Sequence, residues 1–386
     1  MNVAGSVAVE EGVREGSGVS VSFSEEREQL RGVVREFLAD VAGEEAVRAA
    51  MVSPAGWDPA VWRGLAEDLG VLGLGIPEEL GGVGYGFAEI GVVFEESGAA
   101  LLCAPHLATV TAAQALLAAG DDAAAADLLP PVAAGTVATL AVTEADGRFE
   151  ESSVRATAER AAVGWRLTGT KMFVLDGATA ELVLVAARTG AGVSLFAVDG
   201  AADGLRRTGL ATLDQTRRQA RLDLAGAPGR LIGAEGGAWP AIERAVRLAI
   251  VALAAEQVGG ASRALDMAVE YAKTRVQFGR PIGSFQAIKH KCADVLVEVE
   301  SARSAAYAAA AAAQRPDDPE LALVSSLAKA YCSDAYVHAA AENIQIHGGI
   351  GFTWEHPAHL YFKRAKSSRV LFGDPVHHRE LLARQL

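Results

Sequence analysis

The stretch YAKTRVQFGRPIGSFQAIKH, residues 271–290, holds two helical runs apart. Its first residues close one run of apolar positions at helical spacing, the Gly and Pro of FGRPIG break that run, and QAIKH opens the next. The helical period therefore occupies 239–274 before the break and 285–314 after it, and it returns over 319–346 and in a shorter terminal segment. Four such helices predict a bundle over residues 237–386. Upstream the pattern changes: between 136 and 236, short runs such as ATLAVTEA, GWRLTGTKMFVL, ELVLVAA and VSLFAVDG are divided by Gly, Asp and Ala turns. They predict a small β-domain. Over 23–135 helical spacing governs again, beginning with EEREQLRGVVREFLADV behind Ser24 as the expected N-cap. The order predicts an α+β fold of N-terminal helical domain, middle β-domain and C-terminal four-helix bundle. No Gly-rich strand-to-helix turn of the dinucleotide-binding kind occurs, so a cofactor would have to sit between domains.

Composition excludes several classes. A net charge of -13 over 386 residues argues against a nucleic-acid partner, which demands clustered Lys and Arg. Residues 1–22 mix acidic residues with Gly and Ser; they read as a flexible tail and not as a signal peptide. Cys103, Cys292 and Cys332 lie far apart without a CxxC pair, as expected of core fillers in a reducing cytoplasm and not of a metal site or disulfide frame. The most apolar run, 248–255, is closed in by Arg247 and Glu256, short of the roughly 20 residues that cross a bilayer. A cytoplasmic protein without membrane insertion is expected.

Two stretches carry a resemblance: 271–290, and QIHGGIGFTWEHPAHLYFKRAK at 345–366, supported by VTEA at 142–145 and GTKMFVLDG at 169–177. Together they resemble the acyl-CoA dehydrogenase family, in particular actinobacterial subunits of its heteromeric members. The resemblance implies FAD as hydride acceptor, an acyl-CoA substrate from fatty acid or steroid side-chain oxidation, an electron-transfer flavoprotein as electron acceptor, and an oligomer. Read as residues, Arg275 either supports a helix C-terminus or offers a forked cation to a pyrophosphate. Phe278 supplies an apolar edge, and Gln286 follows the turn. Gly348 and Gly349 either turn the chain or admit a cofactor close to the backbone, with Gln345 as amide donor. In the resembled family these residues reach FAD held in a neighbouring subunit. Thr143 lies at a strand end, and Phe173 stands where the family has a Trp beside the flavin; plain core packing is the alternative for Phe173.

The departures concern catalysis. Dehydrogenation needs a carboxylate within reach of the Cα proton, and the position of the family's usual Glu is occupied by Phe372, while its alternative position on the first bundle helix is Ala249. Asp374, two residues on and roughly 7 Å away along extended chain, is the remaining candidate base. Glu256 is displaced from Ala249 by roughly 10 Å along the helix and reads better as a structural hydrogen-bonding group, though it is kept as a second catalytic candidate. Leu175 replaces a flavin-bonding Thr, Asp374 and Val376 replace a Thr and a Gln, and DGRFEES stands for the usual loop at 146–152. The residues that hold the chain's own flavin are altered, whereas those that reach a neighbour are present. Three readings follow: a base-lacking subunit of a heterotetramer, a non-catalytic subunit completing a partner's FAD site, or a flavin oxidase using Asp374.

Overall fold

The computed structural model describes residues 25–315 and 318–385; the expected tail and the Ser24 cap lie outside them. Helices come first: α1 (Glu25–Val41), α2 (Glu44–Val52), α3 (Pro59–Arg63), α4 (Phe87–Ala99), α5 (His106–Ala118) and α6 (Asp122–Ala133). Seven strands follow: β1 (Ala138–Ala141), β2 (Thr157–Arg160), β3 (Trp165–Leu175), β4 (Leu182–Thr189), β5 (Gly192–Asp199), β6 (Leu205–Gly209) and β7 (Gln219–Ile232). The last part holds α7 (Trp239–Thr274), a short hairpin of β8 (Val276–Gln277) and β9 (Arg280–Pro281), and then α8 (Gln286–Ala313), α9 (Leu321–His347), α10 (Ala358–Val370) and α11 (Pro375–Ala383). The helix, strand, helix order is the one the sequence predicts.

The strands pair around a ring: β4 with β5, β5 with β7, β7 with β3, β3 with β2, and β2 back to β4 through a single parallel pair, Thr157 with Arg188. Such closure leaves only β1 and β6 as edge strands of this sheet among the described residues. β1 extends from β4 in parallel and carries the sheet towards the helices. There α5, buried over most of its length, packs against both β1 and α7.

α7 organises the bundle, packing against α4, α5, α8 and α9. By length and composition alone it could cross a bilayer, a property the short 248–255 run does not reveal, but 89% of its most apolar window is buried inside the protein. Its apolar surface is used in packing. Cys103 and Cys332 are buried, Cys292 is half-buried, and all three are free thiols.

The crossing of α4 and α7 is set by reciprocal glycines. A Cβ on Gly98 would lie 2.0 Å from the Glu256 carbonyl oxygen, and one on Gly259 would lie 1.8 Å from the Glu95 carbonyl oxygen. Neither backbone can yield without moving the other helix. Gly259→Ala is therefore expected to destabilise by at least the roughly 1–3 kcal/mol of an overpacked core, read as a lower thermal midpoint. An unchanged midpoint would show that the helices separate freely.

Candidate functional site

The cleft between β-domain and bundle is built from strand ends stitched together. Thr143 donates its hydroxyl to the Met172 carbonyl at 2.7 Å, and the Met172 N–H returns a bond to the Thr143 carbonyl at 2.9 Å. Alongside, fully buried Lys171 donates to the Glu144 carboxylate at 2.7 Å and to the Val142 carbonyl at 3.0 Å. Just beyond these ties, the β3–β7 register shifts between Lys171 and Val174. Phe173, in this bulge, adopts a left-handed backbone with φ 58° and is 42% exposed. A bulge that re-aims a side chain is a common device beside functional sites.

Phe173 and Thr143 line one cavity of about 280 Å³, with Leu175 and Gln219 from the β-domain and with Phe372 from the loop between α10 and α11. This is just below the roughly 300–1,000 Å³ usual for small-ligand sites and too small for a whole dinucleotide. A flavin ring, with its nucleotide tail outside, is the part that fits. The lining holds threonine hydroxyls, one amide and apolar side chains, and no Asp, Glu, His, Lys, Arg, Cys or Tyr. All three hydroxyls already donate to backbone: Thr143 as above, Thr139 to the Leu175 carbonyl at 2.6 Å, and Thr111 to the Leu107 carbonyl at 2.6 Å. Nothing in this lining can take a proton from carbon.

Asp374, the candidate base, lies outside this lining. Its carboxylate caps α11, accepting the His377 N–H at 2.9 Å, and that bond holds its pKa below the ordinary value. It is absent from the cavity lining, which ends at Gly373. Both observations count against the candidacy: the helix N-terminus engages one carboxylate oxygen and makes the group less basic. Phe372 itself is held facing the cavity in a left-handed conformation, φ 59°, by the His378 imidazole bonded to its carbonyl at 3.0 Å. Lys329, fully buried, donates to the carbonyls of Ser368 and Arg369 at 3.1 and 3.0 Å where α10 ends.

Glu256 is equally committed, but elsewhere. It is buried, with both carboxylate oxygens 2.5 Å from Arg217 and one 2.8 Å from Arg364. Burial alone would raise its pKa, but the two guanidinium groups outweigh burial and keep it lowered. Arg364 also faces Asp214 at 3.3 Å and donates to the Leu102 and Thr216 carbonyls. Sequence reasoning missed Arg217, Arg364 and Asp214, which stand in the polar stretches TLDQTRRQ and FKRAKSSR and carry no sequence signal of burial. Beside this cluster lies a cavity of about 20 Å³ lined by His106, Asp176 and Leu175, large enough for one water. Leu175 also lines the larger cavity, so it is the wall between them. Asp176, likewise overlooked, is buried with φ 49°. Burial pushes its pKa up to about 7 against the pull of Arg217, Arg364 and Arg218.

The remaining predicted residues gather at the other end of the bundle. Tyr271, Ile282, Ile288 and Ile346 pack on one small apolar cluster, which brings the end of α7, the hairpin, the start of α8 and the end of α9 together. Arg275, Phe278, Gln286, Gln345, Gly348 and Gly349 are all exposed there. Among the described residues the side chains of Arg275, Gln286 and Gln345 have no hydrogen-bond partner. Gly348 ends α9 at φ 64°, a conformation that favours glycine. Gly349 has no such need, and a Cβ there would meet nothing within 4 Å; nothing within this chain requires a glycine at 349. Between Lys329, beside the cleft loop, and Gln345, α9 rises roughly 24 Å at 1.5 Å per residue.

Comparison with known proteins matches residues 24–136 to the acyl-CoA dehydrogenase N-terminal domain and residues 237–386 to the acyl-CoA dehydrogenase C-terminal domain. The chain belongs to the acyl-CoA dehydrogenase family. It is 39% identical to the acyl-CoA dehydrogenase IpdE2 of Mycobacterium tuberculosis, over 93% of this chain and 96% of that protein. Among solved structures it resembles a chain of a variant of the Tcur3481–Tcur3483 steroid ACAD, with TM-score 0.84 and 33% identity over 93% of this chain and 97% of that one. It also resembles a chain of the ChsE4–ChsE5 complex of Mycobacterium tuberculosis, with TM-score 0.84 and 30% identity over 94% and 98%.

Two expectations follow for the buried charges. Glu256→Gln leaves Arg217 and Arg364 without their counter-charge and is expected to cost roughly 3–5 kcal/mol, measured by denaturant unfolding; a loss below about 1 kcal/mol would show that solvent reaches the cluster. Asp176 keeps its proton to higher pH when folded, so its burial penalty grows as pH rises from about 4 towards about 7 and stability falls over that window. Asp176→Asn, which tolerates the same backbone, should remove that fall. Parallel thermal midpoints for the two proteins between pH 5 and pH 8 would exclude it.

Proposed function

We propose that this chain is the base-lacking subunit of a heteromeric, FAD-dependent acyl-CoA dehydrogenase. FAD, when bound, accepts the hydride that leaves Cβ of the acyl thioester while a base takes the Cα proton. The observation carrying the reading is the division of labour along α9. The cleft has no proton acceptor in its lining, while Arg275, Gln286 and Gln345 stand unpartnered at the opposite end, too distant to serve the same cleft. They suit a neighbour's FAD: Arg275 as a bidentate donor to the pyrophosphate, Gln286 and Gln345 as amide donors, and the Gly348–Gly349 backbone as a surface open to close approach.

The partner is then a related dehydrogenase chain that supplies the Glu and a complete flavin cleft, with electrons leaving to an electron-transfer flavoprotein. Relatives named as a steroid ACAD and as the ChsE4–ChsE5 complex support the pairing and a steroid acyl-CoA over a simple fatty acyl-CoA. The base-free lining also favours a second reading, in which this chain only completes the partner's site and never contacts the acyl group. The oxidase reading loses its base with the capping role of Asp374.

Flavin stoichiometry tests the proposal. Expressed alone, the chain should purify with little flavin; copurified with a related base-bearing chain, the pair should hold about one FAD per two chains. Arg275→Ala in the pair should weaken FAD binding about tenfold or more, as expected for a charged hydrogen bond worth roughly 1.5–3 kcal/mol. A full flavin complement on the isolated chain, with acyl-CoA turnover, would overturn it.

A further inference from the structure

Three imidazole and aromatic side chains stand between the two segments assigned to the neighbour's flavin. His347, the last residue of α9, is buried and stacks on Tyr271 of α7 with ring centroids 4.3 Å apart. His356 packs on it as well, with ring centroids 4.1 Å apart. Tyr271 lies one helical turn before Arg275, and its carbonyl accepts the Arg275 N–H at 2.8 Å. His347 directly precedes Gly348, and His356 lies at the entry to α10. The stack therefore joins the end of α7, the end of α9 and the entry to α10. We infer that Tyr271, His347 and His356 form a clamp that sets the spacing between Arg275 and the Gly348–Gly349 turn, with His356 as its proton-sensitive member. The inference rests on the reading of that surface as flavin-lending and makes these three positioning residues.

The hydrogen bonds define the protonation states. His347 Nδ1 lies 2.8 Å from the Asn343 carbonyl, so Nδ1 carries the proton and donates. His356 Nδ1 accepts the Ala358 N–H at 3.2 Å, so it must be unprotonated; it caps the first turn of α10. Protonating His347 on Nε2 leaves its bond intact. Protonating His356 on Nδ1 removes an acceptor and sets a cation against the positive end of a helix.

The surroundings resist both changes. Burial lowers the pKa of His347 against the raising effect of the Asn343 bond. Burial also lowers that of His356, helped by His347 and by Arg48 of α2 and opposed by Glu44 of the same helix. From α10, His359 faces His356 and Lys363 faces His359, whose own pKa burial pushes down to about 4. With folded values below the unfolded one, the clamp is fully formed above the ordinary histidine range, and its stability is lost as pH falls through it.

Hydrogen exchange on the full chain, corrected for intrinsic rate, tests the clamp without flavin. In the wild type, amides of 272–286 and of 345–358 should both exchange about threefold or more faster near pH 5.5 than near pH 8. His347→Ala should accelerate both segments at either pH, and His347→Phe, which keeps a stacking ring, should restore their protection. His356→Asn, whose side-chain oxygen can cap Ala358 without taking up a proton, should abolish the pH step. Acceleration confined to 345–358 in His347→Ala, or a pH step surviving in His356→Asn, would overturn the inference. In the copurified pair, His347→Ala should lower flavin content; coupled loosening with unchanged flavin would sink the lending role while leaving the clamp in place.

Discussion

A single buried carboxylate on α7, Glu256, governs how the parts of this molecule meet. It draws Arg217 from the segment between β6 and β7 and Arg364 from α10 into one ion cluster, and Arg217 passes on to the Ser368 hydroxyl at 3.0 Å. Removing charges from water is costly unless each finds a counter-charge and its remaining hydrogen bonds. Arg364 meets that demand with two carboxylates and backbone carbonyls. The cluster gains its footing only when β-domain, α7 and α10 are all docked, so it specifies their mutual orientation.

That orientation fixes what the cleft can be. Its inner wall, Leu175, backs onto the small cavity beside the ion cluster, and its outer wall is the Phe372 loop pinned by His378 and, where α10 ends, by Lys329. Between these walls the chamber holds hydroxyls that already donate to backbone and aromatic rings at strained backbone positions. Such a site is shaped but offers no acid or base in its lining. Phe173 and Phe372 both adopt left-handed conformations that cost non-glycine residues free energy, so the surrounding packing must hold them there.

The stiffness of α9 separates the two roles. One end anchors the base-free cleft, the other presents an exposed set of donors and glycines, and a helix of 27 residues cannot fold back to join them. Complementation by another chain resolves this geometry, because a two-chain interface can bring the donor end of one against the cleft of the other. The exposed apolar side chains Phe278 and Phe352 beside the donors accord with such a surface.

Much of this was legible without coordinates. Apolar periodicity reported the helix, strand, helix order, since burying one face of each element imposes a period of 3.6 or 2 on the sequence. The family resemblance likewise depends on residue identity at known spacing, and so does the reading that Phe372 and Ala249 stand where the family keeps a Glu. The destination of Glu256 and Asp374 could not. Whether a carboxylate is a base, an ion-pair centre or a helix cap depends on which groups tertiary packing brings within about 3 Å. Arg217, Arg364 and Asp214 lie far from Glu256 along the chain. The same holds for Asp176, whose raised pKa comes from burial, and for the stack of Tyr271, His347 and His356, where Tyr271 and His347, with two long helices of chain between them, become neighbours only after the bundle closes.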